Sequence, residues 1–229
     1  MDLHCHTSWS PDSLSSPRAV ARVAAERGLT HLAITDHGRI EGALEARETA
    51  PAGLRVIVGE EIRSREGDLV ALFIERPVAP GLSALETAAA VHEQGGLVGL
   101  AHPFDRFRGS LLAGRAAGER MDALAPLVDY VETFNARVPL RGANDRAAEW
   151  AARHGLPGVA VSDAHSLLEV GVAYTILKTP PDDPGALKAA LPGASLVTGH
   201  ASFAVRAMTP LAKLLQRLRH ADRFRAERD

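Results

Sequence analysis

Short apolar runs recur along this chain, and most of them end directly on histidine, aspartate or glutamate. The runs read as strands at Asp2–His6, Thr30–Thr35, Leu54–Val58, Leu69–Ile74, Leu97–Ala101, Tyr130–Phe134, Gly158–Ser162 and Ser195–Thr198. Between them lie segments of helical periodicity: Pro17–Arg27, Ile40–Glu48, Ser83–Gln94, Ala143–His154 and Pro184–Leu191. Ser16-Pro17 offers an N-cap followed by proline at the first helical position, and Gly28, Gly95-Gly96 and Gly155 supply stops. Strands that are apolar throughout and alternate with helices belong to a parallel sheet or barrel covered on its outside. The third and fourth strands are close enough, with Glu66-Gly67 between them, to form a hairpin instead.

At 229 residues the chain is about one and a half typical domains long. The expectation is one barrel over residues 1–205 followed by an appendage over 206–229. An apolar fraction of 46% supports a sizeable core and excludes a disordered chain. No apolar run approaches the ~20 residues that cross a bilayer, so no membrane association is expected. The single cysteine, Cys5, excludes an internal disulfide framework and points to a reducing compartment. The opening MDLHCHTSWSPDS lacks the basic and apolar stretches of a secretory signal. Together these place the protein in the cytoplasm. After Pro210, LAKLLQRLRHADRFRAERD reads as a basic amphipathic helix packed on the body or at a dimer interface. Its mixed charges, the net charge of −2 and only ten aromatic residues disfavour a long nucleic-acid partner without excluding one.

The strand ends carry the chemistry. His4 and His6 end the first strand, Asp36 and His37 the second, Glu60 and Glu61 the third, and His102 the fifth. Glu132 lies near the end of the sixth, and Asp163 and His165 end the seventh. In parallel barrels the carboxyl ends of the strands share one rim, so these groups would meet in space. Crowded imidazoles and carboxylates repel one another, or must be neutralised at a cost, unless cations lie among them. Nitrogen and oxygen donors suit zinc, manganese or iron, and more than four imply more than one ion. Cys5, between the two histidines, points to the opposite face of the strand and reads as a small core residue.

The same residues carry a family resemblance over nearly the whole chain. DLHCHTSWSPDS, AITDHGRIEGALEA, VGEEIRSREGDLVALFI, EQGGLVGLAHPFDRFR, VETFNAR and VSDAH, in this order, resemble the PHP (polymerase and histidinol phosphatase) superfamily, and within it the stand-alone bacterial phosphoesterases. The resemblance implies a distorted (β/α)7 TIM-like barrel holding two to three divalent transition metal ions (Mn, Fe or Zn) at the carboxyl rim. Carried over position by position, its ligands are His4, His6, His37, Glu61, His102, Asp163 and His165, with Glu61 bridging two ions. Asp12 falls where relatives supply a ligand to a third ion. Asp68 stands where many relatives have histidine, a change that favours manganese or iron over zinc. Asp68 precedes its strand, so the rim argument does not reach it. Asp36 is expected to support a ligand, Glu132 to be a support or itself a ligand, and Glu60 to be a structural neighbour of Glu61.

Two neighbouring metals can lower the pKa of a shared water and polarise a phosphoryl oxygen together. The expected activity is hydrolysis of a phosphate monoester of a small metabolite or nucleotide by a metal-bridging hydroxide, with Glu61, Asp163 and His165 at its centre. Arg106 and Arg137 sit in loops suited to binding the phosphate, with Arg108 a weaker choice, and His200 is a candidate general acid. The alternatives are a nuclease or oligonucleotide-end phosphatase, and a metal-stabilised module that binds phospho-ligands without turnover. An amidohydrolase reading lacks its metal-bridging lysine, because Lys178, Lys188 and Lys213 all follow Asp163. The loops expected to choose the substrate are Ser110 to Arg120 and Val138 to Asn144. Oligomeric state is left open.

Overall fold

The computed structural model describes residues 1–108, 117–139, 141–202, 205 and 209–219. In chain order its elements are α1 (Pro17–Glu26), β1 (His31–Ile34), α2 (Glu41–Glu48), β2 (Arg55–Arg63), β3 (Asp68–Leu72), α3 (Ala84–His92), β4 (Leu97–Leu100) and α4 (Ala117–Leu124). Then come β5 (Tyr130–Asn135), α5 (Arg141–Arg153), β6 (Gly158–Val161), β7 (Tyr174–Ile176), α6 (Pro184–Ala190), β8 (Ser195–Val197) and α7 (Thr209–Arg219). The start of α1 follows from its sequence: the Ser16 side chain accepts from the Ala19 amide and Pro17 leads the helix. Gly28, at φ 78°, ends it in a conformation that side chains disfavour.

Strands β1 to β6 form one curled sheet in sequence order. Residues 2–6 close the ring. On one side the Asp2 amide donates to His31 O, and the Ala33 and Thr35 amides to Asp2 O and Cys5 O. On the other the His6 amide donates to Ala164 O and the Asp163 amide to His4 O. The closure is made of isolated bridges and not the regular strand expected at Asp2–His6. The reason is geometric. Leu3 lies in the barrel interior and Cys5 in the outer core, whereas residues two apart share one face of a regular strand. The result is a distorted seven-membered barrel with Leu3, Ile57, Val70, Leu97, Tyr130 and Val159 inside. The helices pack around the outside through residues such as Val20, Ala43, Val91 and Trp150.

Three expectations need correction. Strand β2 does not stop at Val58; it runs through Glu60 and Glu61 to Arg63 and pairs antiparallel with β3, Glu61 opposite Val70 and Arg63 opposite Asp68. Because β3 is also antiparallel to β4, its first residue lies at the carboxyl rim of the other strands. Asp68 therefore belongs to the rim, and the direction of one strand decides it. The last expected strand, β8, is outside the barrel, paired with the unforeseen β7 in a two-stranded sheet. No helix among the described residues is long and apolar enough to cross a membrane.

Candidate metal centre

The structure brings all nine side chains named as ligands to one rim. Eight fall into three overlapping groups whose donor atoms lie within 4.8 Å of one another: His6, Asp12, His37 and His165; His4, His6 and Glu61; Glu61, Asp68 and His102. The ninth, Asp163, places Oδ1 3.5 Å from His6 Nε2, 3.7 Å from His4 Nε2 and 3.4 Å from His165 Nδ1. Glu61 joins two of the groups. Its Oε2 is 3.3, 3.2 and 3.1 Å from nitrogens of His4, His6 and His37, and its Oε1 is 3.1 Å from His102 Nε2.

The ring tautomers follow from the outer contacts. His4 Nδ1 lies 2.5 Å from Glu132 Oε1, an acceptor, so this nitrogen carries the proton. His6 Nδ1 lies 3.0 Å from Ser10 Oγ, whose own proton goes to Asp36 Oδ1 at 2.6 Å, so His6 is also protonated on Nδ1. In the neutral rings both Nε2 atoms then carry lone pairs. They face each other at 2.9 Å, and both face Glu61 Oε2. With both rings neutral, three lone-pair atoms converge, an arrangement that a shared cation satisfies. Asp12 Oδ1, Asp163 Oδ1 and His102 Nδ1 are also buried without a hydrogen-bond partner.

The electrostatics report the same crowding. Burial alone lowers the pKa of His37, but Glu61 and Asp12 outweigh it and push the group up to about 10. Burial raises Asp68, and the neighbouring Glu61 adds to this, to about 6. Burial lowers His165 to about 4, with His6 and Arg137 contributing. Burial would raise Asp163 too, yet Arg108 and His4 hold it well below the usual carboxylate range.

Supporting contacts surround the donors. Asp36 accepts from the Thr7 amide and hydroxyl at 2.7 and 2.6 Å as well as from Ser10, and thereby fixes His6. Helix α2 can pass this cluster because residue 42 is glycine; a Cβ there would lie 2.0 Å from Asp36 Oδ2. Glu132 receives the His102 amide at 2.9 Å and the Asn135 side-chain amide at 2.8 Å, and lies outside the three donor groups. Glu60 turns away to accept from the Val78 amide, and burial pushes its carboxyl up to about 7. His102 and Asp163 have φ of 28° and 53°, so strained backbone sits at two of the nine positions.

Other expected site residues are placed differently. Arg106 is exposed, and it is Arg108 that turns inward to ion-pair with Asp163 and, at 2.9 Å, with the buried Asp105. Arg137 is buried, 3.5 Å from Glu169 Oε1, and donates to Thr209 Oγ1 at 2.6 Å. His200 is exposed, tilted against the Phe134 ring, and belongs to none of the three donor groups. Asn135 was not foreseen: its Nδ2 donates to Glu132 and, at 3.0 Å, to Asp163, while its Oδ1 accepts from Arg108 and the Arg137 amide. It stands in the VETFN motif, where its place at the end of β5 was the available signal. Most of the expected substrate loop at Ser110 to Arg120 lies outside the described residues.

A distorted β/α barrel with a rim of linked histidines and carboxylates defines the class. The PHP domain model matches residues 2–124, and the PHP-associated model matches residues 141–192. The chain belongs to the PHP domain family. An uncharacterized protein of Methanocaldococcus jannaschii is 36% identical over 146 residues, which cover 59% of this chain and 81% of that one. Two solved structures share the fold. One is a putative metal-dependent phosphoesterase from Bifidobacterium adolescentis, with TM-score 0.60, 22% identity, and 72% and 87% of the two chains covered. The other is a lesion-specific endonuclease of Pyrococcus furiosus, with TM-score 0.62, 20% identity, and coverage of 85% of this chain and 56% of that one.

Proposed function

We propose that this protein is a metal-dependent phosphoesterase that hydrolyses phosphate monoesters of a small metabolite or nucleotide. Its ligands would be His4, His6, Asp12, His37, Glu61, Asp68, His102, Asp163 and His165, together holding two to three divalent transition metal ions. The observation that carries the reading is the convergence of His4 Nε2, His6 Nε2 and Glu61 Oε2 within 3.3 Å of one another. Ions bound at this rim supply a nucleophilic water at neutral pH and polarise a phosphoryl oxygen. The chain's own residues supply the rest. Ser10 and Glu132 hold His6 and His4 in the tautomers that present Nε2 to the site. Arg108 and Asn135 steady Asp163, and Arg108 is well placed to meet a phosphate oxygen in the fork geometry that arginine provides.

The test pairs elemental analysis of the purified protein with phosphate release from a panel of phosphorylated metabolites in added Mn²⁺. Two to three equivalents of metal and release from one substrate class support the reading. Metal without turnover would favour a binding module, and protein that cannot be loaded with metal would overturn the site. One observation favours a second reading, the trimming of oligonucleotide ends. Phe107 is 73% exposed, is flanked by Arg106 and Arg108, and could stack on a base. Product length on a labelled single strand separates the two.

A further inference from the structure

Helix α7 lies against the donor rim, and its contacts with the rim follow one face. Thr209 accepts from Arg137, Lys213 places Nζ 3.6 Å from Asp12 Oδ2, and Gln216 donates to Ser8 O and Ser13 O at 2.9 and 2.6 Å. The spacing 209, 213, 216 is that of one helical stripe. The Gln216 side chain is only 2% exposed, and it grips the loop that carries Asp12 on both sides. Between helix and rim runs a cleft lined by Asp12, His165 and Glu169 on one side and by Thr209, Leu211 and Ala212 on the other.

We propose that α7 is a built-in cap on this rim, and that Lys213 is a substrate-binding residue that takes an oxygen of the phosphate. The inference rests on the metal-site reading above and extends it to a segment outside the rim motifs. Lys213 is half-exposed, and in this structure its ammonium pairs with Asp12. Asp12 also faces His37 and His165, at 3.5 and 3.4 Å, so an anion bound to a cation in that donor group would come within reach of the same ammonium. Once the Asp12 charge is engaged by a cation, Lys213 has an anion as its natural partner at the same place. Arg137, tied to Thr209 one turn earlier on the helix, would flank the phosphate from the other end of the cleft. A helix across this part of the rim would favour a terminal phosphoryl group over a continuous polymer. The substrate class it selects is therefore a terminal phosphate.

The test is calorimetric titration of the Mn²⁺-loaded full chain with inorganic phosphate, alongside elemental analysis of each variant. Lys213→Ala should weaken phosphate binding about tenfold with metal content unchanged, the size expected for one charge-assisted hydrogen bond. Lys213→Arg should restore most of it. In turnover the loss should fall mainly on KM. Wild-type protein that binds phosphate as tightly as Lys213→Ala does would overturn this inference while leaving the phosphoesterase reading intact. Loss of metal from Lys213→Ala would also overturn it, by showing that the lysine serves the ligands. Metal-loaded wild type that binds no phosphate would bring down the phosphoesterase reading and the inference together.

Discussion

At the amino-terminal end of β4 and β5, the buried Asp129 has both oxygens filled. Oδ2 accepts from the Val98 amide at 2.8 Å and from His92 at 2.9 Å, and Oδ1 accepts from Lys188 at 2.6 Å. At the carboxyl end of the same barrel, Asp12 and Asp163 each keep one oxygen buried without a donor, and two histidine nitrogens face each other across 2.9 Å. Both ends set buried carboxylates against imidazoles, and of these three aspartates only Asp129 has both oxygens filled. A carboxylate that serves the fold is satisfied by the fold. One that serves a ligand keeps its lone pairs for it, and the protein is less stable until the ligand arrives.

The sharpest way to break this contrast is to remove a donor from the open end. His6→Ala or Asp163→Ala should lower metal-dependent phosphate release by more than ~100-fold, since loss of outer-shell partners alone costs about 10–100-fold. Elemental analysis should show metal lost in parallel, and full activity with full metal in either variant would remove the site. The second largest effect is thermal. Saturating Mn²⁺ at 100 times its Kd should add about 2.7 kcal/mol of stability, or roughly 5–10 °C in Tm, and chelator should reverse it. A Tm indifferent to metal would mean that the open end is no less stable than the closed one.

Asp129→Ala at the closed end should cost about 1–3 kcal/mol, because the Val98 amide loses its side-chain acceptor. Denaturant melts would show this, with metal content per folded molecule unchanged; a fall in metal content would join two regions held apart here. The smallest effect is on pH. Burial alone would raise the Asp129 pKa, but hydrogen bonds from Lys188, Val98 and His92 outweigh it and hold it below the ordinary value. A carboxyl lowered in the folded state stabilises above its unfolded pKa of about 4, and the contribution fades as pH falls through the folded value. Asp129→Asn should therefore flatten the acid limb of stability against pH and leave the neutral region flat, as urea midpoints at several pH values would reveal.

Much of this was legible in the chain. Apolar runs ending on His4, His37, His102 and Asp163 predict a shared rim, because strand ends in a parallel barrel converge whatever the loops do. Periodicity carries no strand direction, however. It could not show that β3 runs backwards and so delivers Asp68 to that rim. Nor does a loop such as Arg106-Phe107-Arg108 say which arginine turns inward; that is decided by Asp105, Asn135 and Asp163, which come together only in the fold. Tyr174–Ile176 is three residues long, too short for alternation to register.

Residues 2–6 close the barrel, and their partners at 162–164 lie about 160 positions further along the chain. During synthesis, at roughly 5–20 residues per second, His4 and His6 wait some ten seconds or more for the segment that fixes them. Contacts of such long sequence separation form late, because the intervening loop must be ordered first. The donor groups that use these two histidines therefore take shape only when the barrel shuts. A partly made chain has the motif without the site, and completion of the fold is itself the step that makes the protein able to hold its metal.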